Sequence, residues 1–324
     1  MPAEDFIGLQ GPEYTMDIER GKVREFARAM NAPLPEYIEG EHPLIPATFL
    51  ITAAYSWGYS LERPRGTAFE QIDHDLSVPL HAEESFSFRG ALPRAGDRLR
   101  CRASLENVWR KQGGRGGELT FLTMLTEFRD AAGELVAEER STTVTTANSP
   151  DAEDWNVDIP DYRPDYPDDL DPGDPFALIE RTDWDGIEPG AGQRIETGPL
   201  HIGDIVRFQG VVGEDNPLHY DLNWAKSLGY PNVFGLGSHQ ASMLAAIAAH
   251  WFDPAAVTEF KARFRNVFWP GESLVYAAEV SKKYRDENSG HRMLELQLAC
   301  TRNDNDAVVD AWLTLDFDRE GSSA

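Results

Sequence analysis

Alternating apolar and polar positions recur in two parts of the chain, and each part predicts a set of long β-strands. The alternating runs are "RCRASLENVWRK", "ELTFLTMLTEFRD" and "LVAEERSTTVTT" in the first part, and "VYAAEVSKKYRD", "RMLELQLACTR" and "AVVDAWLTLDF" in the second. An apolar run with helical spacing precedes each set, "PATFLITAAYSWG" in the first part and "GLGSHQASMLAAIAAHWF" in the second. One apolar helix followed by alternating strands predicts an antiparallel sheet that wraps around the helix, which is an α+β arrangement.

The two parts have the same order of elements, so the sequence indicates an internal duplication. Upstream, "VREFARAMNAPLPEY" aligns with "IVRFQGVVGEDNPLHY". The alignment pairs Phe26 with Phe208, Pro35 with Pro217 and Tyr37 with His219. Between the two parts, "DAEDWNVDIPDYRPDYPDDLDPGDP" is rich in Asp and Pro and predicts an extended acidic linker. We expect domains over residues 1–150 and 176–324, a linker over 151–175, and pairing of the two sheets edge to edge, because such pairing removes exposed strand edges.

The composition of the 324-residue chain argues against several classes of function. A formal charge of -25 disfavours nucleic acid as a partner, because phosphate binding needs a basic surface. Cys101 and Cys300 are the two cysteines, each inside an alternating apolar run, so neither a disulfide framework nor a zinc motif is predicted. The first residues lack a signal-peptide pattern, and the longest apolar helix is too short for a bilayer. We therefore expect a cytoplasmic protein without a membrane partner, a bound metal or a cofactor.

A short stretch, "GVVGEDNPLHYD", gathers two carboxylates and a histidine around an Asn-Pro turn just before a predicted helix. One interpretation is an ordinary polar loop, since Gly, Asp, Asn and Pro are common turn formers. The other interpretation is an acid/base pair, in which His219 exchanges a proton near neutral pH and Glu214 holds or deprotonates the same water molecule. In that case the turn at Asn216 and Pro217 brings the two side chains together.

The same stretch resembles a motif of a known family. Residues 213–219, "GEDNPLH", resemble the Gly-Asp-x-Asn-Pro-(Ile/Leu)-His motif of MaoC-type hydratase/dehydratase domains, and "FRNVFWPGESL" resembles the Phe-rich segment that precedes a strand in that family. In the first half, "HPLIPATF" is similar to the Pro-Pro-Thr-Phe segment of the related FAS1-like N-terminal dehydratase domain. The resemblance implies a double hot dog fold, with two antiparallel sheets each wrapped around a central helix. It also implies that water is added to a trans-2-enoyl thioester, or removed from a 3-hydroxyacyl thioester, with Glu214 and His219 in the catalytic positions.

This reaction also needs hydrogen-bond donors for the enolate-like thioester oxygen. Backbone N–H groups at the start of the second apolar helix are candidates, because unpaired amides and the positive end of the helix dipole meet there. In "VFGLGS", Gly235 and Gly237 allow a thioester to approach the backbone closely, and Ser238 can orient the loop or cap the helix. The alternative is that these residues form only the turn and cap of a buried helix.

Two departures from the family pattern affect the expected site. The family has Asp where this chain has Glu214, and the neighbouring Asp215 is a reserve candidate for the same role. The alternative for Asp215 is a solvated turn carboxylate. In the first half the equivalent positions are Ala32 and Tyr37, so that half lacks an acid/base pair at these positions. By resemblance to fused proteins of this kind, the first half is expected to shape the acyl pocket.

The predicted partner is an acyl-CoA thioester, with the acyl group left open. Candidates for binding coenzyme A are Lys261, Arg263 and Arg265, an alternating basic stripe in an acidic chain. A solvated strand face is the alternative for this stripe. The predicted function is an enoyl-CoA hydratase that forms a homodimer. The alternatives are a non-catalytic acyl-CoA-binding or accessory subunit of a hydratase complex, and a thioesterase.

Overall fold

The structure is a computed structural model that describes residues 3–53, 69, 72, 80–113, 117–146, 159–160, 174–302 and 306–322. Its strands are β1 (Tyr14–Asp17), β2 (Leu80–Phe88), β3 (Arg98–Gln112), β4 (Glu118–Arg129), β5 (Leu135–Thr146), β6 (Gly192–Glu196), β7 (Val257–Phe264), β8 (Leu274–Arg285), β9 (Arg292–Arg302) and β10 (Asp306–Asp316). They form one antiparallel sheet of ten strands in the order β1-β3-β4-β5-β2-β7-β10-β9-β8-β6. The two predicted sets of strands are therefore confirmed as the two halves of a single sheet.

The two halves of the sheet meet where β2 pairs with β7. Phe86 lies opposite Phe260 in this pair, and Glu84 lies opposite Ala262. Both phenylalanines are buried on the face that carries the core. The predicted edge-to-edge pairing is confirmed, and it turns what would be two free edges into an internal ladder of backbone hydrogen bonds.

The helices lie against the inner face of the sheet. They are α1 (Arg20–Ala29), α2 (Pro35–Ile38), α3 (Ile202–Val212), α4 (Leu222–Ser227) and α5 (Gly237–Trp251). Every α5 residue from Ser238 to Trp251 is buried, as expected for a helix enclosed by a curved sheet. In the first half, the predicted apolar helix is described only at its start, around the 3₁₀ turn Phe49–Ile51, and the rest lies outside the described residues. Within the described residues, every helix is too short or too polar to serve as a membrane span.

Equivalent helices of the duplication pack against each other. The Phe26 ring of α1 lies 5.6 Å from the Phe208 ring of α3, measured between centroids. These are the two residues that the sequence alignment pairs. A hydrogen bond of 2.7 Å between the hydroxyls of Thr48 and Ser242 joins the start of the first-half helix to α5. Both halves contribute to one hydrophobic core, so the second half folds around partners from the first. Most of the predicted linker over 151–175 lies outside the described residues.

Candidate active site

The predicted catalytic stretch forms a tight loop between α3 and α4. Gly213 ends α3 in the left-handed conformation, with a φ of 84°, which favours glycine because it lacks a Cβ. The amides of Gly213 and Glu214 both donate to the Gln209 carbonyl, at 3.0 and 3.1 Å. These bonds fix the direction in which the chain leaves the helix, and so fix the backbone position of Glu214.

Asn216 shapes the second half of this loop. Its side-chain oxygen accepts a 3.1 Å hydrogen bond from the Leu218 amide and so begins the 3₁₀ turn Pro217–His219. Its carbonyl accepts a 2.9 Å hydrogen bond from the side chain of Gln209. Asn216 is thus a positioning residue for His219. Asp215, the reserve candidate, is exposed, and its backbone carbonyl accepts a hydrogen bond from the Tyr220 hydroxyl.

The imidazole of His219 is buried and oriented by the backbone. Its Nδ1 lies 2.7 Å from the carbonyl oxygen of Phe234. Because a carbonyl oxygen can only accept, Nδ1 carries the proton and Nε2 is left as the basic nitrogen. The ring also packs edge-on against the Phe234 ring, with centroids 5.1 Å apart. This arrangement aims Nε2 at the carboxylate that the motif predicts as its companion.

The structure brings Glu214 and His219 together. Glu214 Oε1 lies 3.7 Å from His219 Nε2, and 16% of the Glu214 side chain and 9% of the His219 side chain are exposed. This distance is too long for a direct hydrogen bond, yet one water molecule can lie within hydrogen-bonding distance of both atoms. Burial lowers the pKa of His219 to about 4, while its hydrogen bond to the Phe234 carbonyl opposes this shift. The imidazole is therefore neutral at physiological pH and able to accept a proton.

This lowered pKa predicts a pH-dependent stability. Between pH about 6.5 and about 4 the unfolded chain takes up a proton at residue 219 that the folded chain does not, so the free energy of unfolding falls as the pH falls. When the pH is lowered from 7 to 5, we expect the wild type to lose about 2 kcal/mol more of its free energy of unfolding than His219→Asn loses. Urea unfolding at the two pH values measures this change.

His291→Asn is the matched control, because Asp316 raises the pKa of His291 through a hydrogen bond and its charge. The stabilisation that protonated His291 provides is present at low pH and is lost as the pH rises. Lowering the pH should therefore favour the wild type over His291→Asn, which is the opposite of the effect expected for His219→Asn. Equal changes for the two variants would contradict a buried neutral His219.

The start of α5 lies beside this loop, and the structure separates the roles of the predicted oxyanion residues. The Gly235 amide donates to the Phe268 carbonyl at 3.0 Å, so this amide is already used within the chain, and a role of Gly235 in the approach of a thioester stays a prediction. Gly237 and Ser238 lie in the first turn of α5, whose amides have no intrahelical acceptor, and the residue before them makes no side-chain cap. Gly237 is half-buried and Ser238 is buried. Their position at a helix N-terminus is suited to an oxyanion, and their role as its donors stays a prediction.

Both glycines are needed because aromatic rings press against the backbone. A Cβ on Gly235 would lie 1.9 Å from the Phe268 ring, and a Cβ on Gly237 would lie 2.5 Å from the Phe264 ring. Contacts this short require the rings to move. We expect Gly235→Ala to lower the free energy of unfolding by about 1 to 3 kcal/mol, since overpacking a core costs roughly that much.

Gly210→Ala is the matched control for this prediction, because Gly210 lies in α3 with open space around its missing Cβ. Alanine is the better helix former, so this change should raise the free energy of unfolding by up to about 1 kcal/mol. Chemical denaturation of both variants measures the two effects. A Gly235→Ala protein as stable as wild type would refute the close packing against Phe268.

The basic stripe lies on the sheet face opposite α5. Lys261 and Arg263 both pair with Glu83, at 3.2 and 2.6 Å, and Arg265 pairs with Asp310 at 2.7 Å. The charges are therefore balanced by carboxylates of neighbouring strands, and the structure does not bring the stripe together with His219. A role of these three residues in binding coenzyme A stays a prediction.

The equivalent positions of the first half are apolar or inert. Ala32 is fully buried, and Tyr37 is 2% exposed. Burial, followed by the charge of Glu36, raises the pKa of Tyr37 well above its ordinary value, so its phenol stays protonated. The copy that aligns with Glu214 and His219 thus offers neither a carboxylate nor a base.

Sequence reasoning missed several residues that build or adjoin the site. Phe234 orients His219 through a backbone carbonyl, and Gln209 holds the loop through its side-chain amide. Phe264 packs on Gly237 and also contacts His81 of the first half, with ring centroids 4.7 Å apart. The one sequence signal for Phe264 was its place in the Phe-rich segment. The other contacts could not be predicted, because a bond to a backbone carbonyl or a contact between the two halves has no sequence motif.

Two family models match the chain. The model of the FAS1-like, dehydratase domain region matches residues 5–139, and the model of the MaoC like domain matches residues 188–296. A UPF0336 protein of Streptomyces coelicolor is 30% identical over 134 residues, which cover 39% of this chain and 81% of the relative.

Two solved structures resemble the chain over almost its whole length. A protein described as a MaoC-like dehydratase has a TM-score of 0.70 at 23% identity, and the match covers 97% of this chain and 99% of that protein. A conserved hypothetical protein of Mycobacterium tuberculosis, described as having a double hotdog fold, has a TM-score of 0.61 at 13% identity, with 96% of both chains covered. At these identities the likeness shows the fold alone, and the predicted double hot dog is confirmed.

Proposed function

Because the chain belongs to the MaoC-like dehydratases that carry a FAS1-like dehydratase region in the N-terminal half, we propose that it hydrates a 2-enoyl-CoA to a 3-hydroxyacyl-CoA or catalyses the reverse dehydration. The acid/base pair is Glu214 and His219. The Gly237 and Ser238 amides bind the thioester oxygen. The first half encloses the acyl group, and two copies of the chain form a homodimer.

One observation carries this proposal. The Phe234 carbonyl fixes the protonated Nδ1 of His219, so that the basic Nε2 faces Glu214 across a 3.7 Å gap. A general base must lie within hydrogen-bonding reach of the proton that it abstracts, directly or through one water molecule. The gap meets this requirement for a water molecule held by both residues.

The hydration step follows from this geometry. Nε2 of His219 accepts a proton from the bound water while the oxygen of that water attacks the β-carbon of the enoyl group. The electron pair of the double bond moves onto the thioester oxygen, where the Gly237 and Ser238 amides stabilise the negative charge. The imidazolium then returns its proton to the α-carbon, and the Glu214 carboxylate stabilises the cation meanwhile. Dehydration is the same sequence in reverse.

The test is a direct assay of the purified chain with trans-2-enoyl-CoA thioesters of short, long and branched acyl groups. Loss of the conjugated enoyl absorbance without release of free thiol supports the hydratase. Release of thiol identifies a thioesterase instead. Tight binding of every thioester without loss of absorbance favours a non-catalytic accessory subunit, the function that the Glu in place of the family Asp suggests.

A further inference from the structure

The first half carries buried polar residues on the inner face of its sheet, where a hydrophobic core is the norm. Glu84 on β2 is 1% exposed and lies opposite Ser141 on β5. Glu139, also on β5, is 2% exposed and lies opposite Phe86. Two carboxyl groups therefore occupy diagonal positions on neighbouring strands, and both face inward. Buried carboxyls of this kind require an explanation, because they are rarely found without partners.

Three of the four oxygens of these carboxyl groups make no hydrogen bond among the described residues. Both oxygens of Glu84 and Oε2 of Glu139 make no hydrogen bond there, and neither does the hydroxyl of the buried Thr143. Burial raises the pKa of Glu84 to about 8, and burial together with the Glu84 charge raises the pKa of Glu139 well above its usual range. Both carboxyls are thus mainly protonated near neutral pH and can donate a hydrogen bond as well as accept one.

A β-bulge in β2 brings a histidine to the same face. The register shifts between His81 and Glu83, so His81 and Glu84 both face inward although strict alternation would place them on opposite faces. His81 Nε2 lies 3.0 Å from the Ser141 hydroxyl, and His81 Nδ1 lies 4.0 Å from Glu84. Bulges often redirect side chains next to functional sites.

This group of residues adjoins the candidate active site. The His81 ring contacts the Phe264 ring, which packs directly on the backbone of Gly237. One aromatic ring therefore separates the proposed oxyanion amides from the inward-facing polar residues. We therefore place these residues in the direction in which an acyl group would extend from a thioester bound at Gly237 across the β7–β2 junction.

We propose that His81, Glu84, Glu139, Ser141 and Thr143 form a subsite that binds a hydroxyl group on the acyl part of the substrate, beyond its β-carbon. This inference rests on the proposed function for the identity of the thioester. The residues offer both donors and acceptors, and a hydroxyl group can satisfy both. An ammonium group needs ionised carboxylates, whereas these carboxyls are mainly protonated. An alkyl chain leaves the polar atoms without partners, which disfavours its binding.

The test compares pairs of enoyl-CoA thioesters of equal length, one alkyl and one carrying a hydroxyl at successive carbons beyond the β-carbon. In the wild type we expect kcat/KM to be about tenfold higher for at least one hydroxylated thioester, the effect of one or two net hydrogen bonds. Glu84→Leu and Ser141→Ala should remove this ratio. Glu138→Gln, the next position on β5 but on the opposite sheet face, should keep it. An equal kcat/KM for both members of every pair, or a preference for an amine-bearing thioester, overturns the subsite.

Stability distinguishes a binding role from a structural one. If the carboxyl serves binding, Glu84→Leu should raise the midpoint of thermal unfolding, because an apolar side chain replaces a buried group without partners. A lowered midpoint with the substrate ratio unchanged means that Glu84 supports the fold instead. If the chain hydrates no thioester, the proposed function fails. Dissociation constants for saturated acyl-CoA and hydroxyacyl-CoA, measured by calorimetry with the same variants, then test the subsite separately.

Discussion

We expect His219→Ala to lower kcat for the hydration of an enoyl-CoA thioester by about 10²- to 10⁴-fold, the usual contribution of a positioned general acid/base. Nε2 lies 3.7 Å from the Glu214 carboxylate, within reach of one water molecule shared by both groups. Its removal leaves the bound water without a proton acceptor. Binding of the thioester should change much less than kcat, because the proposed contacts of Gly237 and Ser238 with the thioester are untouched. Steady-state kinetics and a binding titration measure the two effects.

The alanine variant also removes a buried ring, so a second substitution isolates the chemistry. His219→Asn keeps a donor for the Phe234 carbonyl but has no basic nitrogen. We expect the same loss of turnover from both variants, with less loss of stability in the asparagine variant. His291→Ala, at a histidine directly before β9 whose side chain is 40% exposed, should retain wild-type kinetics. Wild-type turnover by His219→Asn would eliminate the proposed mechanism.

The second large effect is expected from Glu214→Gln. Glutamine preserves the length of the side chain but cannot carry the negative charge that, in the proposed mechanism, stabilises the imidazolium of His219. We expect kcat to fall by about a hundredfold or more. Glu214→Asp restores the residue of the family motif and should keep a large part of the activity, since the carboxylate remains and only one methylene is lost.

Asp215→Asn is the companion variant, because it alters the exposed reserve carboxylate directly beside the proposed one. The rates of all three variants, measured at saturating thioester, decide between the two carboxylates. A larger loss from Asp215→Asn than from Glu214→Gln reverses the assignment. Similar small losses from both point to the accessory-subunit alternative.

Much of the fold could be predicted because the apolar helical run and the alternating strand runs occur in both halves of the chain. The alternating runs in both halves became β3 to β5 and β8 to β10, and the alignment paired Phe26 with Phe208, whose rings touch. The motif also located Glu214 and His219, since they are close in sequence and the turn between them has a characteristic composition. Features of this kind can be recognised in a sequence because they depend only on residues that are close together in the chain.

The missed features depend on contacts between distant residues. The hydrogen bond from the Gly235 amide to the Phe268 carbonyl was not foreseen, because Phe268 lies on a separate segment of the chain. Glu84 was missed because "HAEESFSF" looks like a strand with a solvated face, and the bulge that brings His81 and Glu84 to one face depends on pairing with β5. Periodicity alone cannot reveal a register shift, since the partner strand decides where the extra residue is placed.

The continuous ladder between β2 and β7 joins the two halves within one chain, and this has a consequence for the effect of amino-acid substitutions. When a hot dog pair forms from two identical chains, every substitution appears twice, so a residue that suits the substrate's tail also alters the reacting end of the other copy. Here the copies are covalently joined, and their aligned positions have diverged: Tyr37 stands where the second half has His219, and Ala32 stands where it has Glu214. Under the proposed function, reaction and selectivity lie on different copies, and we expect that a single substitution can change which acyl group is accepted without altering the acid/base pair.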